Sequence, residues 1–350
     1  MTHWTERPVK AIDNSAREIA IARQNDLTKP PGSLGMLEEI AIRFAGMQGT
    51  ALPSADQVAI RIFAADHGIA SEGVSAFPQA VTAEMIRNFS RGGAAISVLA
   101  RELGASIEVM NLGTVVALEV GLEGVVDAVI APGTRSFLSA SAMSESELDL
   151  ALTAGKQAAE ATHLAGAELF IGGDMGIGNS TSSAALYASL LGLTAQQACG
   201  PGTGLDESGV RRKAAIVQRA LDFHGSGHSL LALLQRMGGF EIAALSGAYL
   251  RCAQLGLPVL VDGYITTAAA LVSAAIQPDV NSWLVFSHRS AEPAHAAALE
   301  KMQATPLLNL NMRLGEGSGA AMAAGVIRHA LALHRNMATF SEAHVSGKLG

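Results

Sequence analysis

One carboxylate stands out because glycines surround it where a helical pattern is about to begin. Glu316 lies in the segment 313–319 (RLGEGSG), which leads into an alanine-rich helical pattern at 320–333. Glycines let a planar ligand approach the backbone closely, and a carboxylate there can accept its proton or a hydrogen bond. Alternatively, an acid at this position could have no catalytic role and serve only to complement the dipole of the helix that follows. The segment therefore predicts either a general base or a helix-terminal acid.

Two glycine-rich segments have the composition of anion-binding turns. The segment 172–181 (GGDMGIGNST) follows an apolar run and opens a helical pattern, where backbone N–H groups and the helix dipole can bind phosphate. The segment 200–204 (GPGTG) precedes the helical pattern that carries Lys213. Neither segment fits a Walker motif or the GxGxxG of a first βα unit. Tight turns would also explain the glycines, and Lys213 could be an ordinary surface lysine.

Polar side chains stand directly after several short apolar runs. They are Asp66, His67, Asn111, Asp174, Asp262 and His288. In open parallel α/β folds the ligand crevice lies outside the carboxyl ends of the strands, so we expect these side chains to converge at one edge. Strand ends also favour polar residues for local reasons, such as helix capping. Neither histidine has metal-binding spacing, so we expect hydrogen-bonding or structural roles for both.

The alternation of apolar runs with helical patterns predicts an α/β fold with a parallel sheet. The strand-type runs are 58–65, 107–112, 126–130, 169–172, 258–261, 283–287 and 306–310. The amphipathic patterns between them, which predict crossover helices, include 83–103, 145–165, 207–223 and 291–302. Because the strand-type runs lack polar alternation, we expect helices on both faces of the sheet.

Both ends of the chain have helical patterns. Two such patterns, at 16–24 and 34–48, precede the first strand-type run, and the carboxyl-terminal segment is also helical in pattern. We therefore expect residues 1–50 and 320–350 to form a small helical domain beside an α/β domain of residues 51–319.

Composition excludes several classes of protein. The chain has 350 residues, 49% of them hydrophobic, and a formal charge of −7 without a Lys/Arg-rich stretch, which argues against nucleic-acid binding. No apolar run approaches the roughly 20 residues of a membrane span, and the polar start lacks a secretory signal, so we expect a cytoplasmic protein. Cys199 and Cys252 are too few for a disulfide framework or a zinc site, and we expect activity without a metal ion.

Several segments, taken together and in this order, resemble the nicotinate-nucleotide:dimethylbenzimidazole phosphoribosyltransferases of cobalamin biosynthesis. They are 29–35 (KPPGSLG), 65–68 (ADHG), 73–79 (GVSAFPQ), 172–181, 200–204, 287–295 (SHRSAEPAH) and 313–321. The resemblance spans nearly the whole chain. It implies a Rossmann-like sheet domain, a small helical domain from both termini, a homodimer and a site at the carboxyl edge of the sheet, with no metal or other cofactor.

The same resemblance implies roles for individual residues. Glu316 would be the catalytic base, and Asp174, where the family commonly has glutamate, would stabilise positive charge on the ribose. The residues that would hold the phosphate or ribose are Gly176, Gly202, Thr203, Lys213 and Ser290. Those that would line the benzimidazole pocket are Phe77, Pro78, Gln79, Met175 and Leu314. Because 29–35 lies far from the sheet in sequence, we expect the small helical domain to contribute to the site of a dimer.

The chemistry of this transfer is compatible with a single base. The leaving ring of nicotinate mononucleotide is already cationic, so it departs without the general acid that a glycosidase supplies. The attacking benzimidazole loses its N–H proton as the new bond forms, and Glu316 would accept that proton. Two other functions stay open at this point: another nucleotide-handling α/β enzyme, such as a dinucleotide-dependent oxidoreductase, and a non-catalytic nucleotide-binding protein.

Overall fold

The computed structural model describes residues 3–202 and 204–346, and its centre is one parallel six-stranded sheet. The strands are β1 (Val58–Ala65), β2 (Ser106–Gly113), β3 (Val125–Asp127), β4 (Leu169–Met175), β5 (Val259–Val261) and β6 (Leu284–Phe286). They lie in the order β3-β2-β1-β4-β5-β6, which is the Rossmann order. The predicted Rossmann-like α/β fold is confirmed.

Helices cover the sheet and connect its strands. The α-helices are α1 (Asn14–Asp26), α2 (Met36–Gln48), α3 (Ala80–Ser90), α4 (Ala95–Leu103), α5 (Glu145–Leu164), α6 (Asn179–Leu191), α7 (Ala195–Ala198), α8 (Glu207–His224), α9 (Leu230–Met237), α10 (Phe240–Leu255), α11 (Tyr264–Ile276), α12 (Pro293–Lys301) and α13 (Ser318–Asn336). Short 3₁₀ helices occur at Trp4–Glu6, Gly68–Glu72 and Pro278–Trp283. All eight residues of β1 are buried, which explains why this run has no polar alternation.

Two of the sequence-based predictions of secondary structure are wrong. The run 306–310 forms no strand. It lies beside the end of β6, where the Leu307 N–H donates to the Phe286 carbonyl, and it makes a single parallel bridge between His288 and Leu308. Pro306 has no backbone N–H to donate, which limits further pairing. The pattern 83–103 is not one helix, because the chain turns at Gly92, with φ +76°, and forms α3 and α4 instead.

The two ends of the chain pack against each other. Arg23 of α1 donates hydrogen bonds to the carbonyls of His334 and Arg335 at the end of α13. Leu27 also forms an antiparallel bridge with Thr339. The end of α13 thus packs with α1, while the start of the same helix lies beside the sheet. We propose the division into a helical domain of residues 1–50 and 320–350 and an α/β domain of residues 51–319 on this basis.

No helix within 3–202 and 204–346 is both long enough and apolar enough to cross a membrane. Cys199 and Cys252 are both buried free cysteines, as expected of apolar core residues.

Candidate active site

A cavity of about 390 Å³ opens at the carboxyl ends of β4, β5 and β6. Its position beside the boundary between β1 and β4, where the strand order reverses, is where Rossmann folds bind ligands. The residues that line it are Phe77, Val81, Met85, Asp174, Met175, Gly176, Ile177, Asn179, Ser180, Gly202, Gly263, Tyr264, Ile265, His288, Ser290, Glu292, Arg313, Leu314, Gly315 and Glu316.

Glu316 stands at the wall of this cavity in an uncommon backbone conformation. Its φ is +64°, a region that costs a non-glycine residue of order 1–3 kcal/mol and often marks a functional site. The side chain is buried, and Oε2 has no hydrogen-bond partner among the described residues. Burial raises the pKa of Glu316, and the backbone N–H of Ile96 opposes this rise. A carboxylate with a raised pKa is better matched to general-base chemistry near neutral pH.

The helix-terminal interpretation of Glu316 does not hold for the helix that follows it. Gly317 is the N-cap of α13, and the first turn of α13 contains no acidic residue. The helix terminus that Glu316 does face is that of α4, through Ile96. A purely electrostatic role at α4 is therefore the alternative against which a catalytic role must be tested.

A glycine on β4 lets the Glu316 segment lie close to the sheet. A side chain at Gly173 would place its Cβ 2.4 Å from the carbonyl oxygen of Glu316, so only glycine fits there. This close packing brings two carboxylates, from the end of β4 and from the start of α13, to one cavity.

Asp174 is the second carboxylate in the cavity wall. Its Oδ2 accepts a hydrogen bond of 3.0 Å from Asn179 Nδ2. Burial raises the pKa of Asp174 well above its ordinary value, and the negative charges of Asp262, Glu241 and Glu316 add to the effect. Burial and the neighbouring negative charges therefore disfavour the ionised form of Asp174, and a cation placed beside it would favour that form.

The turn at 176–178 joins β4 to α6 at the floor of the cavity. Gly178 is the N-cap of α6 and has φ +105°, which glycine adopts readily. Gly176 packs on His67, whose Nε2 lies 2.7 Å from Glu241 Oε1 and whose Nδ1 lies 3.0 Å from Ser182 Oγ. The hydrogen-bonding role predicted for His67 is confirmed.

The peptide groups of Gly202 are held by two charged side chains. Glu292 Oε1 accepts a 2.9 Å hydrogen bond from Gly202 N, and Arg313 Nη1 donates a 2.9 Å bond to Gly202 O. Gly202 has φ +53°, and a Cβ there would lie 2.8 Å from Ser180 Oγ. These contacts join the 200–204 segment to the segment that carries Glu316.

Lys213 is buried behind the cavity wall rather than exposed on its helix. It is 1% exposed, and its Nζ donates to Ser180 Oγ at 2.9 Å and to Gly200 O at 3.2 Å. Burial lowers the pKa of Lys213, and the nearby Glu292 opposes this shift. The ammonium does not line the cavity, but it is bonded to Ser180, which does.

The proposed base-binding residues divide into two groups. Phe77, Met175 and Leu314 line the cavity, whereas Pro78 and Gln79 do not. Gln79 instead donates from Nε2 to the carbonyl of His67 at 2.8 Å. Among the proposed nucleotide ligands, Gly176, Gly202 and Ser290 line the cavity. Thr203 lies outside the described residues.

Several cavity residues were not predicted as part of the site. The clearest are Glu292, Arg313, Asn179 and Ser180. Asn179 and Ser180 belong to the glycine-rich segment, so that motif could have indicated them. Glu292 and Arg313 belong to the segments 287–295 and 313–321, so those motifs could also have indicated them. Their contacts with Gly202, which lies 90 or more positions away, could not be predicted from any local pattern.

The arrangement suits a cationic ligand that also carries a phosphate. Asp174, Glu292 and Glu316 bring carboxyl groups to the cavity wall, and Arg313 brings a guanidinium group. No group of three or more His, Cys, Asp or Glu side chains able to hold a metal ion is found in the described part of the chain.

Comparisons with known proteins identify the family. A family model described as phosphoribosyltransferase matches residues 9–345. The chain is 53% identical over 346 residues to the nicotinate-nucleotide–dimethylbenzimidazole phosphoribosyltransferase of Pseudomonas putida KT2440, covering 99% of this chain and 98% of that protein. The protein of the same name from Pseudomonas aeruginosa PAO1 is 52% identical with the same coverage.

A solved structure gives the same result. The crystal structure of CobT from Thermus thermophilus matches with a TM-score of 0.91 and 42% identity, covering 95% of this chain and 99% of that chain. Similarity over almost the full length of each relative, in both sequence and fold, places this chain in the phosphoribosyltransferase family, among the nicotinate-nucleotide–dimethylbenzimidazole phosphoribosyltransferases.

Proposed function

We propose that this chain transfers the 5-phosphoribosyl group of nicotinate mononucleotide to 5,6-dimethylbenzimidazole, for the lower ligand of cobalamin. The products are nicotinate and α-ribazole 5′-phosphate. The observation that carries the proposal is the cavity at the carboxyl edge of the sheet, where Glu316 and Asp174 meet the glycine-rich turn at 176–178. A cationic ring, a ribose and a phosphate each have a chemically matching part of that wall.

Glu316 acts as the general base in this proposal. The benzimidazole attacks through its bare ring nitrogen, and its other nitrogen loses a proton to the Glu316 carboxylate. Oε2 of Glu316 has no hydrogen-bond partner among the described residues, so no protein donor competes with the substrate for that oxygen. The burial that raises the pKa of Glu316 also makes its carboxylate a stronger base than an exposed one.

Asp174 stabilises positive charge on the substrate. As the bond to nicotinate breaks, the ribose gains oxocarbenium character, and a nearby carboxylate lowers the energy of that state. The cationic nicotinate ring favours ionisation of Asp174 when the nucleotide binds, which counteracts the effect of burial. Attack from the face opposite nicotinate inverts the anomeric carbon from β to α.

The phosphate and ribose are assigned to the glycine-rich side of the cavity. Gly176, Gly202 and Ser290 line it, and Lys213 acts from behind Ser180 by its charge and by ordering that hydroxyl. Thr203 belongs to the same proposed set. The benzimidazole is assigned to the apolar side, against Phe77, Met175 and Leu314, with Pro78 and Gln79 supporting that wall.

We also propose that the enzyme is a homodimer whose small helical domain contributes to the site. Lys29 Nζ is 2.8 Å from Glu38 Oε1, and the residues of 30–33 are largely exposed and do not line the cavity of their own chain. Apolar side chains near the edge strand β3 are exposed as well, among them Val120 at 95%. A fully active monomer in sedimentation would contradict this part of the proposal.

A cytoplasmic location completes the proposal, because a phosphorylated nucleotide does not cross membranes unaided. Cell fractionation of the native protein tests it.

The decisive experiment measures nicotinate release from nicotinate mononucleotide with and without 5,6-dimethylbenzimidazole. We expect release only when the base is present, with an α-anomeric product identified by NMR. Equal release without the base would indicate a hydrolase, and binding of the nucleotide without release would indicate a non-catalytic binding protein. Either result would contradict the proposed function.

A further inference from the structure

Thr82 forms two buried hydrogen bonds beneath the cavity without lining it. Its hydroxyl donates to Asp66 Oδ1 at 2.7 Å and accepts from the backbone N–H of Ile177 at 3.1 Å. Thr82 is completely buried in α3. Asp66 directly follows β1, and Ile177 directly follows the proposed phosphate-binding Gly176. One hydroxyl thus joins the ends of β1 and β4 at the reversal point of the strand order.

The helix that carries Thr82 also carries the apolar wall of the cavity. Val81 and Met85 of α3 line the cavity, and Phe77 lies just before the helix. Gln79 provides a second link at the start of this helix through its bond to the His67 carbonyl. The position of the wall therefore depends on two polar links to the strand ends.

The hydrogen bond from the Ile177 N–H to Thr82 restrains the turn at 176–178. Gly176 and Gly178 flank Ile177, and glycines resist bending of the backbone less than other residues do. Ile177 is buried, so its N–H would carry a desolvation penalty without an acceptor. The Thr82 hydroxyl accepts a hydrogen bond from that N–H and so holds the turn against α3.

We propose that Thr82 is a positioning residue that holds the base-binding wall and the nucleotide-binding turn as one unit, and thereby determines how strictly the enzyme selects its base. The inference rests on the proposed function. Thr82 touches neither substrate. It acts through Ile177 on one side of the cavity and through α3 on the other, which fixes the distance between the two substrates.

The test replaces Thr82 with valine, which has nearly the same shape and lacks the hydroxyl. The enzyme is given 5,6-dimethylbenzimidazole and unsubstituted benzimidazole in competition, with nicotinate mononucleotide as donor. The ratio of the two kcat/KM values does not depend on how much protein is folded. We expect Thr82→Val to reduce this ratio about threefold or more, because a loosened wall discriminates methyl groups less strictly.

Two variants serve as controls. Thr82→Ser keeps the hydroxyl and should preserve the wild-type ratio. Thr162→Val changes a fully buried threonine of α5 whose hydroxyl has no partner among the described residues, and it should also preserve the ratio. If Thr82→Val yields no folded protein, Thr82→Cys is measured in the same way, with the same reduction expected.

An unchanged ratio in the folded Thr82 variant would overturn the inference. A reduced ratio in Thr162→Val as well would also overturn it, because loss of any buried hydroxyl would then suffice. Absence of transfer by the wild-type enzyme would instead overturn the proposed function, so the two failures are distinguishable.

Discussion

Replacing Glu316 with glutamine separates the catalytic role from the helix-terminal role. Glutamine keeps the size of the side chain and an oxygen that can accept from the Ile96 N–H, but it cannot accept the substrate proton. General-base catalysis typically contributes about 10²–10⁴-fold, so kcat should fall by that factor. This loss corresponds to about 3–5 kcal/mol of transition-state stabilisation. Both substrates should still bind.

The two roles also predict opposite effects on stability. Because burial raises the pKa of Glu316 above its value in the unfolded chain, the stability linked to this group is fully present at low pH and is lost as pH rises through the folded pKa. The side chain of Glu316→Gln cannot ionise, so the variant avoids that loss of stability. At pH 8 its melting temperature should equal or exceed that of the wild type. A purely electrostatic role at α4 predicts about 0.3–1 kcal/mol of destabilisation and a nearly intact rate.

The assay measures steady-state turnover and melting temperature on the same sample between pH 5 and 9. Wild-type kcat/KM should fall on the acid side as Glu316 becomes protonated, and the variant should lack this limb. Glu145→Gln is the matched control, since Glu145 is an exposed acid in the first turn of α5. A Glu316→Gln enzyme that is destabilised but nearly fully active would refute the assignment of Glu316 as the base.

Three further predictions concern buried charges. Asp174→Asn should slow turnover and leave the melting temperature at pH 8 unchanged or higher, because burial raises the pKa of Asp174, whereas Asp174→Glu should stay active; an asparagine variant as fast as wild type would exclude the oxocarbenium role. Lys213→Met should raise the KM for nicotinate mononucleotide about tenfold or more, with a smaller effect on the base, because a charge near the phosphate is lost; equal effects on both substrates would contradict this. Burial raises the pKa of Asp262 to about 7, so its ionisation destabilises the fold as pH rises from about 4 to 7. Asp262→Asn should therefore reduce the loss of unfolding free energy between pH 5 and 8, by at most about 3 kcal/mol, and urea titrations at both pH values measure it.

The sheet could be predicted from the sequence because its strands are buried on both faces. Continuous apolar runs indicated β1 and β2 within one residue at each end, and the polar residues that follow the strands indicated which edge carries the cavity. The run 306–310 was misread because its composition is that of a strand, while Pro306 has no backbone N–H to donate and the run forms only one bridge, between Leu308 and His288.

Individual site residues depended on the resemblance to a known family, and their exact contacts depended on the fold. A lysine on an amphipathic helix is normally exposed, yet Lys213 lies on the buried face of α8, where its Nζ donates to Ser180 and Gly200. Gln79 lies in a family motif, but the fold directs its amide to the His67 carbonyl and not into the cavity.

The sequence by itself determined the class of fold, the edge of the sheet that carries the cavity and the glycine-rich segments at that edge. These properties follow from local apolar periodicity and from residue types at fixed spacing along the chain. The tertiary structure decided that Glu316 faces α4, that Glu292 and Arg313 hold Gly202, and that Thr82 links the ends of β1 and β4. Such contacts join residues far apart in the chain, and they exist only because the strand order brings their backbones to one place.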